Sequence, residues 1–118
     1  FANAEAKRTA LYHRMCDYFT RHDFLALPTV QVLPFSADAE YVKEINGKPM
    51  HTYIDWQATC YALSPLGLPC ISVPCGFSKE GLPVGLQLVG KPRADLPLLQ
   101  LAHAYEKATM HSHRHPAM

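Results

Sequence analysis

At 118 residues the chain fits one domain or part of a larger one, and 48% hydrophobic against 18% charged residues marks it as globular rather than disordered. A net charge of +1 with the histidines neutral leaves no electrostatic case for nucleic acid or an anionic membrane surface as partner. No run of about 18 apolar residues is present to cross a bilayer, and residues 1–8 lack the charged-then-apolar order of a signal peptide.

The chain starts at Phe1 rather than Met, so a natural start upstream is expected. Four cysteines, Cys16, Cys60, Cys70 and Cys75, form no CxxC motif. Free, mostly buried thiols in a reducing cytoplasm are therefore expected.

In chain order, Ala4, Arg8, Leu11, Tyr12, Met15, Tyr18 and Phe19 recur at helical spacing and predict an amphipathic helix over 3–22. The continuous apolar run 24–27, ended by Pro28, suits a strand covered on both faces. Residues 29–50 are rich in Pro, Gly and polar types and read as a long irregular connection around Ile45-Asn46-Gly47. Thr52 can cap a second helix, with Asp55 completing a weak capping box. Tyr53, Trp56, Cys60 and Leu63 would share its inner face, and Pro65, Gly67 and Pro69 would stop it.

Two strands follow, over 70–75 and 84–89, with the turn-forming Ser78-Lys79-Glu80-Gly81 between them; an antiparallel hairpin is expected. In the second strand Val84, Leu86 and Leu88 face one way and Gly85 and Gln87 the other, and Gly85 would let another backbone approach closely. Asp95 is placed to cap a last helix that tolerates Pro97 in its first turn and lines one side with Leu98, Leu101, Ala102, Tyr105 and Ala108. The order is αβαββα without internal repeats. Three strands with helices on their faces make an α/β layer whose edges want further strands.

The string Gly67-Leu68-Pro69-Cys70-Ile71-Ser72-Val73-Pro74-Cys75-Gly76-Phe77, followed by Gly81-Leu82-Pro83-Val84-Gly85-Leu86-Gln87-Leu88-Val89-Gly90, resembles the C-terminal signature of the amidase-signature family. Asp95, Leu99, Ala102 and Glu106 look like that family's final helix. His22-Asp23-Phe24-Leu25-Ala26-Leu27-Pro28-Thr29 is similar to its strand ending in Pro-Thr, and Asn46-Gly47 with the Tyr53–Trp56 stretch extends the likeness. The glycines and prolines of the motif fix turns and close packing; none offers an acid, a base or a nucleophile.

The resemblance implies residues 1–118 as the incomplete C-terminal part of a catalytic domain with a mixed-sheet α/β/α fold, the hairpin lying at 70–89. It implies a cytoplasmic amidase without a cofactor, acting on a small amide substrate. Either the N-terminal half of the domain or self-association would supply the missing partner. Amide hydrolysis needs an activated nucleophile, a proton donor for the leaving amine and an oxyanion hole. The family uses a Ser–cis-Ser–Lys triad from its N-terminal half. Here Ser36, Ser64, Ser72, Ser78 and Ser112 are all single, and Lys7, Lys43, Lys48, Lys79, Lys91 and Lys107 match no triad position. No catalytic residue carries over, and the chain alone is expected to be inactive.

Other chemistries are open to the same residues. Cys75 beside a strand proline could be a nucleophile, though a packed thiol is the plainer reading. His111, His113 and His115, with His103, could form a metal-binding tract, against an ordinary solvated terminus; no metal site is assigned. In the resembling enzymes the helix before the Gly-Leu-Pro motif borders the pocket, which puts Trp56 and Gln57 forward as substrate-binding residues. Amidotransferase A subunits, which feed ammonia to glutamyl-tRNA, hold the glutamine ammonium with an acid where this chain has Gln57, and usually carry Asn at Ser64. A neutral amide cannot pair with an ammonium as a carboxylate does. Both departures favour a general amidase, with Trp56 and Tyr53 as apolar walls for an acyl or aryl group, over the tRNA-linked enzyme. Trp56 has plain core packing as its other reading. From a different class, a non-catalytic α/β module or gene remnant acting by association stays open.

Overall fold

The computed structural model describes residues 2–114. Helix α1, Ala2–Phe19, turns Leu11, Tyr12, Met15 and Tyr18 inward at helical spacing and buries Phe19. The expected stripe began at Ala4, but residues 2–10 are all exposed. Arg8, placed on that stripe, instead pairs with Glu5 one turn earlier at 2.8 Å in the open, a contact of little energetic weight.

Strand β1, Phe24–Pro28, follows. Within the connection to residue 50, Asn46 and Gly47 take φ of +50° and +77°, as a type I′ turn requires. They close a small hairpin of β2, Glu44–Ile45, and β3, Lys48–Pro49. The connection is thus less irregular than its composition predicts.

The second helix is present only in pieces: a 3-10 turn at Asp55–Gln57, one α turn, α2, at Ala58–Tyr61, and another 3-10 turn at Ser64–Leu66. The backbone of Gln57, at φ −99° and ψ 18°, departs from helical geometry where the first two meet. Pro65 opens the last turn rather than stopping a helix. Gly67, at φ +62°, ends it with its N–H donating to the Ser64 carbonyl.

Strands β4, Cys70–Phe77, and β5, Pro83–Gly90, form the expected antiparallel hairpin, each longer than the sequence suggests. Its turn is held by Ser78, whose hydroxyl accepts from the N–H groups of Glu80 and Leu82. A bulge falls between Pro74 and Gly76. The sheet order is β1-β5-β4 with both pairings antiparallel. Helix α3, Asp95–Thr109, completes the layer. Its N-cap is Ala94, without a side-chain bond; Asp95 lies inside the first turn, where a carboxylate suits the helix dipole.

Successive residues of β5 separate the two cores. Leu88 joins Val73, Leu98 and Ala102 under α3, whereas Val89, fully buried, joins Phe19, Leu66 and Leu68 under α1 and the 3-10 turn. The chain is therefore an α/β layer with helices on both sheet faces. Each fully buried side chain of this size contributes about 1.5–3 kcal/mol. Strand β1 is less covered than its apolar run predicts: Phe24 packs under α3 and Leu25 and Leu27 under α1, but Ala26 is exposed because β1 is an edge strand. Ala108, expected on the inner side of α3, is exposed as well.

Candidate functional site

The site grows from Thr29, the residue just past the end of β1. The Thr29 N–H donates to the Gly85 carbonyl at 3.0 Å, continuing the ladder one residue past Pro28. Its hydroxyl crosses β5 to meet the Ser72 hydroxyl at 2.7 Å. Gly85 makes this crossing possible, since a Cβ there would lie 2.7 Å from Thr29 Oγ1 and 3.2 Å from Ser72 Oγ. The close approach expected at Gly85 is thus real, but two hydroxyl groups rather than another backbone fill the space.

Above the same residue, the Thr29 carbonyl accepts from Thr59 Oγ1 at 3.0 Å and from Cys60 Sγ at 3.1 Å. The Trp56-Gln57 segment lies one turn earlier on the broken helix. Its entry is fixed by Asp55, whose carboxylate accepts from the N–H groups of His51 and Thr52 at 2.8 and 3.0 Å and from Thr52 Oγ1 at 2.9 Å. The Thr52 hydroxyl, then its N–H and that of His51, hold the Asp55 carboxyl below its ordinary value. The reach back to the Thr52 N–H is the second half of a capping box. The Thr52 hydroxyl is spent on the carboxylate, so the first half is missing.

Trp56 is half-buried and sits in a row of aromatic rings: Phe35 meets it edge-on at 5.4 Å between centroids, Tyr53 at 6.2 Å, and Tyr41 meets Tyr53 at 6.3 Å. Lys43 Nζ closes the row 3.2 Å from the centre of the Tyr41 ring. These contacts order the connection that composition alone describes as irregular. Tyr53 is 55% exposed, so it lies outside the helix's inner face and flanks Trp56 from the solvent side. The indole Nε1 is buried with no acceptor, a costly state for a donor.

Gln57 is half-buried beside it, with its N–H donating to the Ile54 carbonyl. A cavity of about 430 Å³ opens on the other flank, walled by Gln31, Ile45, Met50, Asp55, Ala58 and Tyr61 among others; Trp56 and Gln57 do not line it. The buried Gln31 Oε1 also lacks a partner.

Among the described residues no lysine amine is hydrogen-bonded to a serine; Lys43 and Lys91 pair with Glu40 and Asp23. All four cysteines are free, but none is buried as expected: Cys16, Cys60 and Cys75 are half-buried and Cys70 is exposed. A hydrogen bond to Cys75 and then burial raise the Tyr105 phenol above its usual range, and Cys75 itself is half-buried. His111 lies against Gly76, 3.5 Å from where a Cβ would stand. Among the described residues no cluster of three or more His, Cys, Asp or Glu is placed to hold a metal; His115 lies outside the described residues. No helix among them is long and apolar enough to cross a membrane.

Sequence reasoning singled out Trp56, Gln57 and Gly85 but missed Phe35, Thr59 and the Thr29–Ser72 pair. The Pro-Thr strand end and the strand glycine were the visible signals for that pair.

The chain matches the family described as Amidase over residues 1–99. It is 40% identical over 118 residues to the A subunit of the glutamyl-tRNA(Gln) amidotransferase of Symbiobacterium thermophilum, covering 100% of this chain and 23% of that protein. It is 41% identical over 100 residues to the protein of the same name from Moorella thermoacetica, covering 85% of this chain and 19% of that one. Among solved structures, a bacterial aryl acylamidase of the amidase-signature enzymes aligns over 86% of this chain and 21% of its own, with TM-score 0.76 and 34% identity. The glutamyl-tRNA(Gln) amidotransferase A subunit of Thermotoga maritima aligns over 91% and 22%, with TM-score 0.72 and 31% identity. The chain thus spans under a quarter of the length of these proteins.

Proposed function

This chain belongs to the amidase-signature family, and on that premise we propose that it is the C-terminal part of a catalytic domain that hydrolyses carboxamide C–N bonds when complete. The observation that carries this reading is the family match over residues 1–99. In the complete enzyme a nucleophile from outside this chain attacks the amide carbonyl and keeps the acyl group as the amine departs with a proton; water then releases the acid and restores the nucleophile. This chain supplies the sheet, the α3 cover and one wall of the pocket.

In that wall Trp56 presents an aromatic face to the acyl or aryl group, and Gln57 offers a neutral amide beside it. The edge-on contacts of Trp56 with Phe35 and Tyr53 hold its ring in a fixed place, as a wall residue requires. The isolated chain has no serine joined to a lysine among its described residues and is inactive on this reading. Its partner is the remainder of the domain or, failing that, a second copy. No cofactor enters the scheme, and the complete enzyme would work in the cytoplasm.

A second reading, the A subunit of a glutamyl-tRNA amidotransferase, is favoured by the curated relatives at 40% and 41% identity. Against it stands Gln57, a neutral residue where an ammonium group would call for a carboxylate. Alanine at both Trp56 and Gln57 in the complete enzyme tests the wall. Preference between short and aryl amides should change while acylation of an activated ester is kept. Unchanged preference rejects the wall, and free glutamine as the best substrate favours the second reading.

A further inference from the structure

Thr29 is the point at which the sheet and the broken helix are joined by hydrogen bonds. Its N–H binds the Gly85 carbonyl of β5 and its hydroxyl binds Ser72 of β4. Its carbonyl accepts from both Thr59 and Cys60, one turn after Trp56. Each polar group of one residue is therefore used, and the bonds reach two strands and one helix. The strand side is set sterically: only a residue without Cβ at 85 leaves room for Thr29 Oγ1, and a methyl there would meet it at 2.7 Å. The helix side needs such an anchor, because α2 is four residues long and the turn before it has no side-chain cap bond. A helix this short does not hold its own orientation.

From these contacts we propose that Thr29 is a positioning residue, which sets the placement of the Trp56–Gln57 segment over the sheet from the geometry at Gly85 and Ser72. Thr29 touches no substrate in this scheme; it acts through Thr59 and Cys60. A displacement of the strand end moves the Trp56 wall, so substrate preference is tuned from the far side of β5. Misplacement by about 1 Å at a positioned group is enough to cost roughly 100-fold in rate. The inference rests on the reading of Trp56 and Gln57 as a substrate wall.

Trp56 is the single tryptophan of the chain, so its fluorescence reports the linkage without turnover. In the 118-residue chain, Gly85→Ala should shift Trp56 emission to longer wavelength and raise its quenching by acrylamide. Thr59→Val with Cys60→Ala should do the same from the helix side. Combining the two sets should add no further shift, because both cut one linkage. Thr29→Ser, which keeps the hydroxyl, should restore the wild-type spectrum that Thr29→Val loses.

If far-UV circular dichroism shows that Gly85→Ala does not fold, Thr29→Val takes its place in the cycle. Shifts that sum as independent sites overturn the proposal. So does a Gly85→Ala variant that lowers the unfolding midpoint while leaving Trp56 emission unchanged, and so does wild-type emission equal to that of free indole. Because the readout is Trp56 itself, failure here leaves the amidase reading in place. Unchanged amide preference after Trp56→Ala would remove the substrate wall and leave both the linkage and the amidase reading.

Discussion

Trp56 meets Phe35 edge to face, with ring centroids 5.4 Å apart and planes at 89°. This contact ties the connection after β1 to the broken helix across 21 residues of sequence. Phe35→Ala should uncover the Trp56 indole, move its emission to longer wavelength and cost about 0.5–1.5 kcal/mol in aromatic pairing. Fluorescence-monitored urea unfolding reads both quantities. An unchanged spectrum and midpoint would show that the ring pair does not persist in solution.

The α3 core should respond as a packed interior. Leu98 is 3% exposed between α3 and the sheet, whereas its neighbour Leu99 is 56% exposed. Leu98→Ala should cost about 2–5 kcal/mol through lost contacts and a cavity. Leu99→Ala should stay within about 0.5 kcal/mol. Denaturant midpoints of the two variants check the placement of the helix, and equal losses would contradict it.

Asp55 gives the entry to the broken helix a pH dependence with a defined sign. Its folded-state pKa is depressed, chiefly by the Thr52 hydroxyl and then by the Thr52 and His51 N–H groups. The charged form is therefore favoured by folding. Its contribution is complete above the ordinary value of 3.8 and fades as pH falls through the depressed folded value. Residues 51–57 should lose order in acid, and Asp55→Asn should remove that pH-dependent component. Trp56 fluorescence followed down in pH is the check; superimposable acid limbs for wild type and variant would count against these bonds.

The hairpin of β4 and β5 was legible because Val84, Leu86 and Leu88 alternate and Ser78 to Gly81 can only turn. Its pairing with β1 was not, since nothing in 24–27 says which strand it joins. The second helix was misjudged for a physical reason. The spacing of Trp56, Cys60 and Leu63 satisfies one helix, but Thr52 and Asp55 bond each other and the Gln57 backbone leaves helical geometry. Gly85 announced a close approach, yet the Thr29–Ser72 contact joins residues 43 apart and depends on the sheet register. Trp56 was found from the family resemblance, and Phe35, lying in a stretch without periodicity, gave no signal.

The outer edges of β1 and β4 pair with no strand among the described residues. Pro74 and the bulge beside it guard one end of β4, while residues 70–73 keep a straight edge whose outward backbone groups seek partners. The purified chain should self-associate at micromolar concentration. Sedimentation equilibrium reads this directly, and a cooperatively unfolding monomer would show that these elements close their own core.

On the reading proposed above, this chain carries amidase scaffold and a substrate wall but no nucleophile of its own. Turnover of a simple aryl amide by the purified 118-residue chain is the decisive measurement. The expected rate equals that of a matched blank, and Ser72→Ala should give the same rate. Release of arylamine well above the blank, surviving repurification and abolished by substituting one serine of this chain, would place a nucleophile here and refute the reading.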